Sequence, residues 1–241
     1  MKSVFRIAVP AVLCLLGSLS HLQGASVYTF ANWSAFALTP SQSSPGNATG
    51  TLATPGGTVS LSYSGDVATA TQVNNTGVNY FTGWTSVYTN SVVANLPTSP
   101  DIITLSEFYS ATPNTLSFSS PVVNPILDIV SLGSPGTQVT YNFSATPTIL
   151  SQGPAYFGGC STCLSVSGNS LSGTEGSGVV EFLGTYSSLS WTTAGGEYWN
   201  GFNVGVAGVS TVTPEPSTLG LAFVAGLLLL FSVLKMRAQR T

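Results

Sequence analysis

The sequence predicts an all-β protein: an antiparallel β-sandwich or jelly-roll-like domain, with an N-terminal signal helix and a C-terminal transmembrane helix. In the central part of the chain, apolar residues alternate with Ser, Thr and Asn, and helical periodicity is absent. Clusters of Pro, Gly and Asn separate these alternating runs and favour turns. Many short strands joined by frequent turns are typical of sandwiches and jelly rolls.

Residues 1–24 have the pattern of a secretory signal peptide. Lys2 and Arg6 form a short basic start, and an apolar stretch follows over residues 7–19. Small residues around Ala25 then allow a signal peptidase to cut. We therefore expect the mature chain to begin near Ala25. An uncleaved membrane anchor is the alternative, which the shortness of the apolar stretch disfavours.

Residues 25–211 are expected to form one β-sandwich domain, because their length suffices for a single buried core and no internal repeat divides them. The alternating runs predict strands at 27–30, 58–63, 102–106, 116–118, 126–130, 139–143, 179–183, 189–191 and 202–206. The Pro, Gly and Asn clusters predict turns at 45–47, 55–57, 135–136, 158–159 and 194–196. Trp191 shares a strand face with Leu189, so we expect it in the core.

The segment 212–241 has the pattern of a membrane attachment. An apolar stretch over about 218–234 is at the short limit for a helix that spans a bilayer. Three basic residues follow it: Lys235, Arg237 and Arg240. Basic residues on this flank favour the cytoplasmic side, so the pattern predicts that the bulk of the chain lies outside the cell membrane.

A short motif, Pro214-Glu215-Pro216, stands immediately before this predicted helix. The motif, the helix and the basic tail together resemble the PEP-CTERM sorting signal of Gram-negative bacteria. In that family a membrane exosortase cuts near the motif, and the protein is released to, or fixed on, the cell surface in association with exopolysaccharide and biofilm matrix. The resemblance implies processing by exosortase and signal peptidase, an inner-membrane-anchored intermediate, and a cell-surface or extracellular location. A single-pass anchor that is never cut is the alternative.

A second resemblance concerns the domain itself. Four short runs, at 124–129, 131–133, 175–178 and 199–202, look like parts of the β-sandwich ectodomains that recur upstream of PEP-CTERM signals. They are scaffold-like and imply no activity, but they favour the sandwich.

Positive charge is missing from the central part of the chain. Only 5% of all residues are charged, where about a quarter is typical. Between Ala25 and Thr213 there is no Lys, Arg or His. The same part contains seven carboxylates, for a formal charge of −7: Asp66, Asp101, Glu107, Asp128, Glu175, Glu181 and Glu197. This negative charge argues against a nucleic-acid partner. It also repels acidic polysaccharide, unless a cation bridges the protein and the polysaccharide.

The absence of His and Lys excludes several classes of enzyme. Ser-His-Asp and Cys-His catalysis need an imidazole, and Schiff-base and P-loop chemistry need a Lys. Hydrolysis of glycosides by two carboxylates is the main chemistry that stays open. We expect each carboxylate to be a solvated or turn residue rather than a catalyst, and therefore predict a protein that is not an enzyme.

Cys160 and Cys163 are the cysteines left after signal removal, and in an exported protein they predict a disulfide. A thioredoxin-like pair would need a βαβ setting, and a zinc site would need two further nitrogen or sulfur ligands. No cofactor is expected, apart from Ca²⁺ as a minor hypothesis. Its candidate ligands are Asp66 and Glu175, because Ca²⁺ binds carboxylate oxygens in loops.

Aromatic side chains beside Asn and Ser suit the apolar faces of sugars. Tyr198 and Trp199 are the candidate glycan contacts, and a core position is the alternative for Trp199. Three functions are therefore considered, in this order: a surface or matrix protein associated with exopolysaccharide, a binding module for neutral or calcium-bridged glycan, and a carboxylate-pair glycoside hydrolase.

Overall fold

The computed structural model describes residues 24–41, 44–106 and 113–207. These residues form two antiparallel β-sheets and one short helix, so the predicted all-β sandwich is confirmed. The predicted sorting signal at 212–241, and the predicted signal peptide apart from Gly24, lie outside the described residues. Within the described residues, no helix has the length and apolar character needed to span a membrane.

The described chain has fifteen elements: β1 (Tyr28–Phe30), β2 (Asn32–Ala37), β3 (Gly46–Thr54), β4 (Gly57–Gly65), α1 (Thr85–Tyr88), β5 (Ile103–Leu105), β6 (Asn114–Val123), β7 (Ile126–Leu132), β8 (Val139–Phe143), β9 (Thr148–Gln152), β10 (Leu164–Ser167), β11 (Ser170–Gly173), β12 (Gly176–Glu181), β13 (Thr185–Ala194) and β14 (Asn200–Ala207). All nine predicted strands correspond to observed strands, within a few residues at their ends.

The larger sheet has eight strands in the order β10-β11-β8-β13-β6-β4-β3-β2. The smaller sheet has the order β1-β14-β7-β12-β9, and β5 pairs with the half of β14 that β1 leaves free. Most neighbours in the sheets are distant in sequence, as with β7 and β14. The sheets are therefore held by contacts that local sequence does not specify.

The larger sheet buries one face and exposes the other, as the alternation predicts. In β4, Val59, Leu61 and Tyr63 are buried, and the residues between them are exposed. The buried face packs against the smaller sheet around a cluster of rings. Trp191 belongs to this cluster, 2% exposed and 5.4 Å from the Phe202 ring centre, so its predicted core position is confirmed.

The smaller sheet is buried on both faces. Every residue of β7 is buried, because a second apolar cluster covers the outer face of the sheet. Ile126 and Val130 pack there against Phe81 and Tyr88 from the segment around α1. The same outer face carries Asp128 and Glu181, which alternate with the core-facing residues of β7 and β12.

The predicted turn at 55–57 is confirmed, because Pro55 and Gly56 join β3 to β4 and Thr54 pairs with Gly57. The predicted turn at 45–47 is wrong. Gly46 and Asn47 begin β3. A Cβ at Gly46 would lie 2.6 Å from the Ala37 carbonyl oxygen, so this glycine permits close packing of strands instead of a turn.

Candidate functional site

Burial of the acidic side chains corrects a prediction from the sequence. Of the six carboxylates in the described residues, five are buried: Asp66, Asp101, Asp128, Glu181 and Glu197. The expectation of a solvated or turn position is therefore wrong for Asp128 and Glu181, which are buried within strands. Asp66, Asp101 and Glu197 do lie in loops, but they are buried there. Glu175 alone is partly exposed, in the bend between β11 and β12.

The carboxylates of Asp66 and Asp101 accept backbone hydrogen bonds inside the fold. The Asp66 carboxylate accepts the Ser106 backbone N–H at 2.7 Å, and burial raises the pKa of Asp66 to about 6 despite this hydrogen bond. Asp101 accepts the backbone N–H groups of Trp33 at 3.1 Å and Asn75 at 2.7 Å. Both carboxylates tie loops to strands, as buried polar groups must find partners.

One shallow pocket of about 290 Å³ brings together several residues that the sequence singled out. Glu175, Glu197, Tyr198 and Trp199 all border it. Hydroxyl groups border it too, from Ser131, Ser134 and Thr137. Asp66 does not line this pocket, and the described residues contain no group of three or more His, Cys, Asp or Glu that could hold a metal ion.

The two carboxylates at this pocket have different surroundings. Glu197 is 5% exposed, and its Oε1 accepts the Gly133 N–H at 2.6 Å and the Asn200 amide at 2.8 Å. Glu175 accepts a hydrogen bond from the Ser131 hydroxyl. Glu197 therefore holds the loop that precedes β14, and Glu175 is the carboxylate that stays accessible.

Four aromatic rings meet beside this pocket. We call Tyr80, Tyr156, Phe157 and Trp199 the aromatic cluster. Its ring centres lie 4.5 Å apart for Phe157 and Trp199, 4.9 Å for Tyr80 and Tyr156, and 5.1 Å for Tyr80 and Trp199. Tyr156 and Phe157 are each 47% exposed, and the neighbouring Tyr198 is 83% exposed. The rings are mostly inclined to one another, so they form a ridged apolar surface instead of a flat strip.

Tyr156 and Phe157 occupy the tip of a tight turn. Ala155 and Gly158 exchange two backbone hydrogen bonds of 2.7 and 2.9 Å around them, and Gly158 has φ 101°. Such a φ favours glycine and leaves the two aromatic residues projecting from the turn.

Two cross-links hold the same loop, one at its base and one after the aromatic turn. The Gln152 side chain accepts the Leu164 N–H at 2.7 Å and donates to the Leu164 carbonyl at 3.1 Å. Cys160 and Cys163 form the predicted disulfide, with Cα atoms 5.2 Å apart. The Gln152–Leu164 contact spans the aromatic turn, and the disulfide constrains the residues that follow the turn.

Trp199 of the aromatic cluster comes from the loop before β14. Glu197 fixes this loop to Gly133, and Asn200 fixes it further by accepting a hydrogen bond from the Tyr141 hydroxyl. Tyr198 consequently projects outward, and Trp199 is half-buried against the other rings. The sequence pattern predicted Tyr198 and Trp199 as glycan contacts, but it did not predict Tyr80, Tyr156 or Phe157. The adjacent pair Tyr156-Phe157 just before Gly158-Gly159 is the signal that could have found two of them.

The aromatic cluster and the ends of the described chain lie at opposite ends of the sandwich. Trp199 directly precedes β14, and Ala207 is the last residue of β14. Tyr28 pairs with Ala207, so the chain enters and leaves at one end. The eight residues of β14 separate the two ends by about 25 Å.

A larger pocket, of about 670 Å³, lies at the end where the chain enters and leaves. Gly24, Ser26, Tyr28, Glu181 and Ala207 are among its lining residues. Burial raises the pKa of Glu181. Burial, with a smaller contribution from the charge of Glu181, raises the pKa of Tyr28 to about 12.

Comparison with known proteins identifies no relative: no family model, no curated protein and no solved structure matches this chain.

Proposed function

We propose that this chain is an exported, exosortase-sorted protein of the cell surface or extracellular matrix, that it is not an enzyme, and that it associates with exopolysaccharide through the aromatic cluster. The observation that carries the proposal is the position of that cluster. It lies about 25 Å along β14 from the end at which both termini leave the domain. Attachment of the domain through the chain that follows β14 would leave the aromatic cluster at the end that faces away from the attachment.

The chemistry of this surface favours a neutral sugar. Half-exposed rings offer an apolar surface to the C–H faces of a pyranose, and Tyr hydroxyls add hydrogen-bonding groups. Ser134, Thr137 and the partly exposed Glu175 border the adjacent pocket, where their polar groups can meet sugar hydroxyls. An acidic polysaccharide would meet only negative formal charge in this domain, so it would need a bridging Ca²⁺.

Glu175 and Glu197 in one pocket favour a second candidate, a carboxylate-pair glycoside hydrolase. The surroundings of Glu197 argue against it, because Glu197 Oε1 already accepts two hydrogen bonds that hold the loop. Release of reducing ends from the polysaccharide, abolished by Glu175→Gln, would establish the hydrolase and contradict our proposal.

Sorting is tested in the producing cells. We expect the protein to lose its C-terminal segment and reach the surface, and a variant with Ala at Pro214, Glu215 and Pro216 to stay uncut in the inner membrane. A variant with Ala at Val209, Ser210 and Thr211, which precede the predicted sorting signal, is the matched control. Wild-type protein that stays full-length in the membrane would contradict exosortase processing.

Binding is tested by titrating the exported protein with the producing organism's exopolysaccharide, with Ca²⁺ and then with EDTA. Saturable binding that survives EDTA supports a neutral glycan ligand. Binding that EDTA removes supports the calcium-bridged alternative. No saturable binding in either condition contradicts the glycan part of the proposal and leaves the sorting part to its own test.

A further inference from the structure

Glu181 is a buried acid without a partner. Its side chain is 7% exposed and borders the 670 Å³ pocket, and its carboxyl has no hydrogen bond or ion pair within the described residues. Glu181 pairs with Ile126 at the start of β7, and Ile126 pairs with Gly205 near the end of β14. The carboxyl therefore lies at the end of the sandwich where the chain enters.

The start of the mature chain is held at the same pocket. Ser26 donates its N–H to the Val92 carbonyl at 2.8 Å and accepts the Ala94 N–H at 2.8 Å. The Asn95 side chain bonds both backbone groups of Tyr28, at 2.7 and 2.9 Å. Gly24 and Ser26 line the pocket on either side of Ala25. A chain that begins at Ala25 consequently has its amino group at the pocket rim.

The sequence offers Glu181 few possible cation partners within the domain. Residues 25–213 contain no Lys, Arg or His, so the α-amino group of the mature chain is the single cation that this part of the sequence can supply. Tyr28 is the other titratable side chain that lines the pocket among the described residues, and its phenol is neutral. A carboxylate that is partly shielded from water, as Glu181 is at this pocket, is stabilised by an opposite charge close to it.

We propose that the α-ammonium group created by signal-peptide cleavage near Ala25 binds in this pocket as the ion-pair partner of Glu181. In the precursor, the nitrogen of Ala25 is an uncharged amide, so residues 25–213 supply no cation to Glu181. Cleavage supplies the charge, so removal of the signal peptide stabilises the domain. The inference rests on the proposed export and cleavage of the chain.

The test uses the exported protein, whose α-amino group is the only primary amine between its start and Thr213. Acetylation of this group removes its charge, whereas reductive dimethylation keeps the charge and adds similar bulk. We expect acetylation to lower the melting temperature and dimethylation to leave it nearly unchanged. In Glu181→Gln, which keeps the shape of the side chain, acetylation and dimethylation should change the melting temperature by the same amount.

A second readout is the reactivity of the amine. An ion pair with Glu181 raises the pKa of the α-amino group above its usual 7.7–8.0, and each unit of that rise slows acetylation at pH 7 about tenfold. We expect slower acetylation in the wild type than in Glu181→Gln. Equal acetylation rates, or equal melting temperatures of the acetylated and dimethylated wild type, would overturn the proposal.

N-terminal sequencing of the exported protein separates this inference from the proposed function. If the protein starts near Ala25 but its acetylation rate and melting temperatures do not depend on Glu181, the ion pair is contradicted. Export and cleavage are still supported by that result. An uncleaved N-terminus contradicts the proposed cleavage and, with it, the ion pair. Failure of glycan binding has no effect on either result.

Discussion

Asp128 in β7 lies directly opposite Asn203 in β14, and neither side chain has any exposed surface. The carboxyl oxygens of Asp128 have no hydrogen-bond partner within the described residues, whereas Asn203 accepts the Val204 N–H at 2.8 Å. Burial raises the pKa of Asp128 well above its usual value. Burial, and then the charge of Asp128, raise the pKa of the Tyr88 phenol. The surroundings of Asp128 therefore favour its neutral carboxylic acid over its carboxylate.

The first prediction concerns pH. Burial raises the folded-state pKa values of Asp66 and Asp128, so the folded domain binds more protons than the unfolded chain above about pH 4. The stabilisation is complete below the unfolded pKa values and is lost as pH rises through the folded ones, for Asp66 near 6. We expect the melting temperature to be higher at pH 4 than at pH 8. A lower melting temperature at pH 4 would contradict this.

The second prediction is that Asp128→Asn flattens this pH dependence. An amide of the same shape has no proton to lose, so the difference in melting temperature between pH 4 and pH 8 should shrink. The matched control is Asp101→Asn, which weakens the acceptor for the Trp33 and Asn75 N–H groups. That control should lower the unfolding free energy by about 1–3 kcal/mol at pH 8. An unchanged pH difference in Asp128→Asn would show that Asp128 is already charged in the folded state.

The third prediction concerns the aromatic cluster. Phe157→Ala removes a ring that is 47% exposed and contacts Trp199, and Phe36→Ala removes a 37% exposed ring on β2 outside the cluster. If the cluster binds glycan, Phe157→Ala should weaken binding by about fivefold or more, as expected for a contact worth over about 1 kcal/mol. Phe36→Ala should bind like the wild type. Equal affinities in isothermal titration would remove the aromatic cluster from the binding site.

The fourth prediction is that the disulfide acts on the aromatic turn more than on the core. The double variant Cys160→Ser and Cys163→Ser opens a very small ring, so the loss of unfolding free energy should be about 2 kcal/mol or less. Amide hydrogen exchange should increase around Tyr156 and Phe157 and stay slow in β7. The control is reductant, which should loosen the wild-type loop and leave the variant unchanged. Faster exchange throughout β7 would show instead that the disulfide supports the core.

Some strands were predictable because their side chains show the burial pattern directly. In β4, Ser and Thr alternate with Val, Leu and Tyr, and exposure follows the same order. The neighbouring β3 was missed because its buried positions include Gly46, Ala48 and Gly50, which show no apolar alternation. A Cβ at Gly50 would lie 2.6 Å from the Asn32 carbonyl oxygen, so the small residues serve close packing. That requirement exists only once β2 and β3 are paired.

The sequence by itself determined the class of fold, the core position of Trp191 and the disulfide, because period-two alternation and cysteine spacing are local properties. It also determined that no cation occurs from Ala25 to Thr213, from which the partner proposed for Glu181 follows. Tertiary structure alone decided which carboxylates are buried and which rings meet. Tyr80 and Trp199 are 119 positions apart in the chain, and their ring centres lie 5.1 Å apart. Such contacts arise when distant strands pair and loops converge at one end of a sheet, and no periodicity along the chain records them.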